Sequence, residues 1–173
     1  MTSTRAILRQ RAAKPGDIAC VLSDANLQLT RDVEESGRFV TMFYSEIDMK
    51  NRQFWWVRAG HDPAMVYDST ADTFDELIGK GLPLGVTPSA EYKAQSQQIV
   101  AGQIYVIGTD GIWETRSPSG DMFGKDKFRL IIRENAKQPA QKITDAVFDA
   151  VTAFRQSVRQ EDDITLVIIK IAQ

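Results

Sequence analysis

Cysteine and histidine are almost absent from this 173-residue chain: Cys20 and His61 stand alone. A single cysteine rules out an internal disulfide and fits a reducing compartment. One Cys and one His cannot build a structural zinc site within one chain. A Ser-His-Asp triad would have to run through His61, and no Gly-x-Ser-x-Gly elbow is present to carry the nucleophile. No apolar run approaches the roughly 18 residues that a membrane-spanning helix needs. The longest ones, Ile104–Ile107 and Leu166–Ile169, have strand length instead. Charge of one sign is also lacking. Lys and Arg total 21 against 23 Asp and Glu, a formal net charge of −2, which gives no basic footprint for nucleic acid or an anionic membrane. The expected setting is cytoplasmic, with neither nucleic acid nor membrane as partner.

What is present is ordinary for a globular protein: 43% hydrophobic and 25% charged residues, in a length that predicts one domain whose core needs no staples. The first sixteen residues hold three Arg, one Lys and no acid. That composition hints at an organelle transit peptide, but its periodicity favours a basic amphipathic helix over residues 2–13, ended by Pro15-Gly16. Asp17 is placed to cap a second helix, with Ile18, Val21, Leu22, Ala25 and Leu29 as its apolar stripe.

From residue 38 the period changes to that of strands, predicted over Phe39–Ile47, Gln53–Ala59, Ala64–Tyr67 and Thr73–Leu77, an antiparallel meander. A Gly79–Gly85 loop, an alternating segment Tyr92–Ile99 and a buried strand Gln103–Ile107 follow. A Ser/Pro/Gly-rich loop over 115–124 leads to helices from Lys125 to Glu134 and from Pro139 onward, the latter with Ile143, Val147, Val151 and Phe154 on one face. The last strand is predicted at Ile164–Ile171. Helices segregated from antiparallel strands define an α+β chain.

Two acidic sites stand out as candidates for a cation site. Asp110 follows a strand directly, in Gly108-Thr109-Asp110-Gly111, where a carboxylate is held rigidly and the next glycine permits close approach. Asp162 and Asp163 precede the last strand. If those strands are neighbours, both sites meet at one sheet edge, and carboxylates without Cys or His suit Mg²⁺ or Mn²⁺. Taken singly, an Asp-Gly at a strand end is more often turn chemistry. Trp55 and Trp56 alternate across a strand, so one ring is expected in the core and the other at the surface.

The strings VIGTDGIWE (106–114) and EDDITLVII (161–169) resemble the C-terminal motifs of the metal-dependent protein serine/threonine phosphatases, the PPM family. The bacterial branch is the one resembled, typified by the stage II sporulation protein E phosphatase and the phosphatase regulators of the general stress sigma factor. GRFVTMFYSEID (37–48), VRAGHDPAMVY (57–67) and GKGLPLGV (79–86) extend the likeness in order over nearly the whole chain. The resemblance implies an α-β-β-α sandwich of antiparallel sheets flanked by helices. It also implies a binuclear Mn²⁺ or Mg²⁺ centre whose bound hydroxide attacks phosphorus, no side chain being assigned as a catalyst. Asp110 and Asp162 match metal-binding aspartates of that family. Gly111 matches its close-approach glycine, while Asp163 and Glu114 occupy positions suited to holding metal-bound water. His61 falls in an Ala-Gly-His-x-Pro string and reads as a hydrogen-bonded loop residue, with a general-acid role as the alternative. GKGLPLG precedes no helix and has the wrong spacing for a phosphate loop, so it reads as structural.

Two family motifs, of the Gly-Asp-Tyr-Tyr-Asp and Asp-Val-Ser-Gly-His-Gly kinds, do not occur in the chain. The chain is therefore expected to lack the N-terminal strands and about half of the metal site. Exposed strand edges and a possible homodimer follow from that expectation. The implied substrate is a phosphoserine or phosphothreonine regulatory protein of the anti-sigma-factor-antagonist type. The alternative is a non-catalytic binding module that holds such a partner.

Overall fold

A computed structural model describes residues 2–12, 17–34 and 37–172. In chain order the elements are α1 (Thr2–Ala12), α2 (Ile18–Val33), β1 (Met42–Asp48), β2 (Gln53–Ala59), β3 (Ala64–Asp68), β4 (Thr73–Leu77), β5 (Gln95–Gln98), β6 (Gln103–Gly108), α3 (Lys125–Glu134), α4 (Ala140–Arg155) and β7 (Leu166–Lys170). They form two compact units. One runs up to Pro63 and adds Leu77–Ile99; the other takes Ala64–Glu76 and the chain from Val100.

The first unit is a three-stranded sheet in the order β1-β2-β5, antiparallel throughout. Asp17 caps α2 by accepting a 2.8 Å hydrogen bond from the Ala19 N–H, which satisfies one of the orphan donors of the first turn. The expected stripe, Ile18, Val21, Leu22, Ala25 and Leu29, is buried in full. Leu22 and Leu29 pack with Val57 and Ala59 of β2 and with Leu84 and Tyr92. Asn26 lies on the same helix, wholly buried, with its Nδ2 donating to the Thr87 carbonyl and its Oδ1 accepting from the Gly85 N–H. One polar side chain thus pins the 79–87 loop to α2. Trp56 is buried and donates from Nε1 to the Ile78 carbonyl at 2.9 Å, while Trp55 is 39% exposed, as strand alternation requires.

The second unit is a sheet in the order β4-β3-β6-β7. Its core joins Ile104 and Val106 of β6 to Phe128 and Ile132 of α3 and to Ile143, Val147 and Val151 of α4. Lys170, at the end of β7, donates from Nζ to the carbonyls of Ala136 and Gln138, so the α3–α4 connection is tied to the sheet.

Four expectations differ from what forms. The strands are not one meander: after β2 the chain enters a second sheet, because Gly60 adopts φ 71° and Pro63 offers no N–H to a ladder. β1 starts at Met42, leaving Phe39 60% exposed and Val40 in an isolated bridge to Leu84. Only Gln95–Gln98 of the alternating segment pairs, since Tyr92 turns into the core and donates its hydroxyl to the Leu82 carbonyl at 3.1 Å. The last strand starts at Leu166 because the residues before it make other bonds, given below. The end of the first helix, expected at Pro15-Gly16, lies outside the described residues.

Candidate functional site

β6 and β7 pair antiparallel with Gly108 opposite Leu166, so the loop leaving β6 and the loop entering β7 emerge side by side. They interlock. The Thr109 N–H donates to the Thr165 carbonyl at 3.1 Å. The Thr165 N–H donates to Thr109 Oγ1 at 2.9 Å, and that hydroxyl donates onward to the Asp163 carbonyl at 3.0 Å. Gly111 completes the contact: a Cβ there would stand 2.5 Å from the Asp163 carbonyl oxygen, closer than any packed carbon tolerates. The turn is held from beneath by Ile112 and Trp113, both buried.

Asp110 and Asp162 sit in this pair of loops in matching ways. Asp110 Oδ1 accepts from the N–H of Gly111 at 3.0 Å, and Asp162 Oδ1 accepts from the N–H of Asp163 at 2.7 Å. Each carboxylate is therefore oriented by the backbone of the next residue. Both are exposed, and among the described residues neither has a cationic partner. Asp163 contributes its backbone to the lock, and its side chain is exposed.

Gly111 and Asp162 also line a cleft of about 80 Å³, with Glu114, Arg116, Arg155, Arg159 and Glu161 among its other walls. One water needs only roughly 10–15 Å³ of such space, so the cleft has room for a small polyatomic group. Sequence reasoning placed Glu114 here and missed the three arginines; the one signal available was Arg155 and Arg159 lying just ahead of Glu161-Asp162.

His61 belongs to the first unit. Its Nδ1 lies 2.9 Å from the Asp62 carbonyl. Arg58 donates from Nε to the His61 carbonyl and from Nη1 to the Gly79 carbonyl at 3.0 Å. Gly81, in the GKGLPLG loop, packs against the Arg58 backbone and the Tyr92 ring. These contacts clasp two loops together.

Among the described residues no three Asp, Glu, His or Cys side chains converge as a metal-binding group. Carboxylates without softer donors are the ligand type that suits Mg²⁺ or Mn²⁺. Two carboxylates do not by themselves fit two such ions, each of which takes about six oxygens.

Helix-backed antiparallel sheets of this kind match PP2C phosphatase domains of known structure. The SiaA-PP2C domain of Pseudomonas aeruginosa superposes with a TM-score of 0.86 at 20% identity, over 98% of this chain and 68% of that one. The manganese-presoaked phosphatase domain of the cell fate determinant SpoIIE from Bacillus subtilis gives a TM-score of 0.63 at 19% identity, over 98% of this chain and 73% of that one. The chain belongs to the stage II sporulation protein E (SpoIIE) family, which it matches over residues 1–172. It is 32% identical over 150 residues to the phosphoserine phosphatase RsbU of Bacillus subtilis, covering 87% of this chain and 44% of that protein. The chain therefore spans less than half the length of that relative. No helix among the described residues is long and apolar enough to cross a membrane.

Proposed function

We propose that this chain serves a divalent-cation-dependent protein serine/threonine phosphatase that dephosphorylates a regulatory phosphoprotein of the anti-sigma-factor-antagonist type, in the cytoplasm. The observation that carries the reading is the interlock of Thr109–Gly111 with Asp162–Thr165, which orients two exposed carboxylates at one sheet edge. Asp110 and Asp162 are the residues that hold the cation. A bound Mg²⁺ or Mn²⁺ supplies Lewis acidity toward a phosphoryl oxygen.

The remaining work falls to the chain itself. The backbone N–H groups of Gly111 and Asp163 occupy one oxygen of each carboxylate and leave the other for a ligand. The Thr109 hydroxyl, bonded on both sides, fixes the spacing of the two loops. Gly111, by carrying no side chain, lets them approach.

The test is Mn²⁺-dependent phosphate release from a phosphoserine regulatory protein, with Asp162→Asn and Asp110→Asn measured beside the unaltered protein. Turnover that is abolished in both variants is expected. Turnover that survives either substitution overturns the assignment. The second reading, a phosphatase-like module that binds a phosphoprotein without hydrolysis, is favoured by the lack of a third converging ligand among the described residues. Folded protein that binds its phosphoprotein with no release of phosphate would establish it.

A further inference from the structure

We propose that Arg155 and Arg159, assisted by Arg116, form the phosphate-gripping wall of the cleft beside Asp162, and that they hold the phosphoserine monoester of the substrate. The inference rests on the phosphatase reading above and names the side chains that recognise the phosphoryl group.

The argument starts at the end of α4. Arg155 is the last helical residue, and Gln156 then takes φ 53° and ψ −119°, a region seldom adopted outside glycine. The Val158 N–H closes the turn on the Arg155 carbonyl at 3.0 Å. This tight reversal brings Arg159 to the same cleft as Arg155. A cation in the last turn commonly does no more than offset a helix dipole. That explanation covers Arg155 and leaves Arg159, beyond the helix, unaccounted for.

Among the described residues no carboxylate lies within ion-pair distance of Arg155 or Arg159. Arg116 is the exception: its Nε is 4.0 Å from Glu161 Oε2, and its Nη1 donates to the Gly120 carbonyl at 3.0 Å, which fixes the side chain on its loop. Arg155 and Arg159 thus line one cleft with no carboxylate in ion-pair contact among the described residues, which leaves their donors to an incoming anion. The planar fork of arginine matches phosphate oxygens two at a time.

The charges lining the cleft also matter. Glu114, Glu161 and Asp162 balance the three arginines. A divalent cation on Asp162 therefore tips the cleft positive, so cation and phosphate are expected to strengthen each other's binding reciprocally.

The experiment titrates the protein with a peptide carrying the non-hydrolysable phosphonate analogue of phosphoserine, with Mg²⁺ and with chelator, by calorimetry. Arg155→Ala/Arg159→Ala is expected to weaken binding about tenfold or more, the loss typical of charge-assisted hydrogen bonds. Arg155→Lys/Arg159→Lys, which keeps charge without the fork, is expected to restore part of it and guards against misfolding of the alanine variant. Mg²⁺ is expected to tighten binding in the unaltered protein. Equal affinity in the unaltered and lysine proteins and in folded alanine protein overturns the inference, as does no binding by the unaltered protein with Mg²⁺ present. The two readings separate cleanly. Turnover lost in Asp162→Asn but kept in the arginine variants would sink the arginine wall alone. Arginine-dependent phosphonate binding with no turnover at all would sink the phosphatase reading alone.

Discussion

Gly111 shows how much one missing side chain can carry. Its φ is not left-handed, so the position does not need glycine for backbone reasons; it needs glycine because the Asp163 carbonyl stands where a Cβ would go. Gly111→Ala must push the two loops apart by some tenths of an ångström. A destabilisation of about 1–3 kcal/mol is expected, as for overpacking elsewhere, read as a shift in the urea midpoint. Phosphatase activity is expected to fall by more than the unfolded fraction explains, because Asp110 and Asp162 move with the loops. Unchanged stability and activity would show that the interlock is looser than its distances imply.

At the scale of elements, the helix–loop joint at Asn26 is the most exposed to damage. Asn26 is the only bond partner by which α2 satisfies both the Gly85 N–H and the Thr87 carbonyl among the described residues. Asn26→Leu is nearly isosteric but leaves the half-buried Gly85 N–H without this partner and the Thr87 carbonyl with only the 3.3 Å bond from the Ala90 N–H. An unsatisfied group costs about 1–3 kcal/mol, so a loss of about 1–2 kcal/mol is expected by equilibrium unfolding. A neutral result would mean that water reaches the joint.

At the scale of the molecule, stability is expected to fall at both ends of the pH range. In the second unit the Tyr67 hydroxyl and then the Arg133 guanidinium hold the Asp72 carboxyl below its ordinary value. A depressed carboxyl contributes stability that is whole above its unfolded pKa of about 3.9 and is lost as pH falls below that value through the lower folded one. In the first unit burial pushes the Tyr92 hydroxyl up to about 12. A raised pKa gives stability that is whole below the unfolded value of about 10 and lost as pH rises toward the folded one. Urea midpoints followed against pH are therefore expected to drop at both extremes. Asp72→Asn should flatten the acid limb and Tyr92→Phe the alkaline limb; profiles parallel to that of the unaltered protein would refute both assignments.

The sequence by itself determined the local elements whose cause is local. The α2 stripe with its Asp17 cap, the Gln53–Ala59 and Thr73–Leu77 strands and the Lys125–Glu134 helix form as their periodicity dictates. It also determined which strings carry the family, because the two aspartate motifs are contiguous. Tertiary structure alone decided the rest. It drew Tyr92 out of a strand and into a core, and it buried Asn26, a residue type that sequence rules place in turns or at caps. It also gathered Arg116, Arg155 and Arg159 on one cleft. Each of these depends on partners dozens of positions away or on a single strained turn, and no periodicity records such a partner until the chain has closed on it.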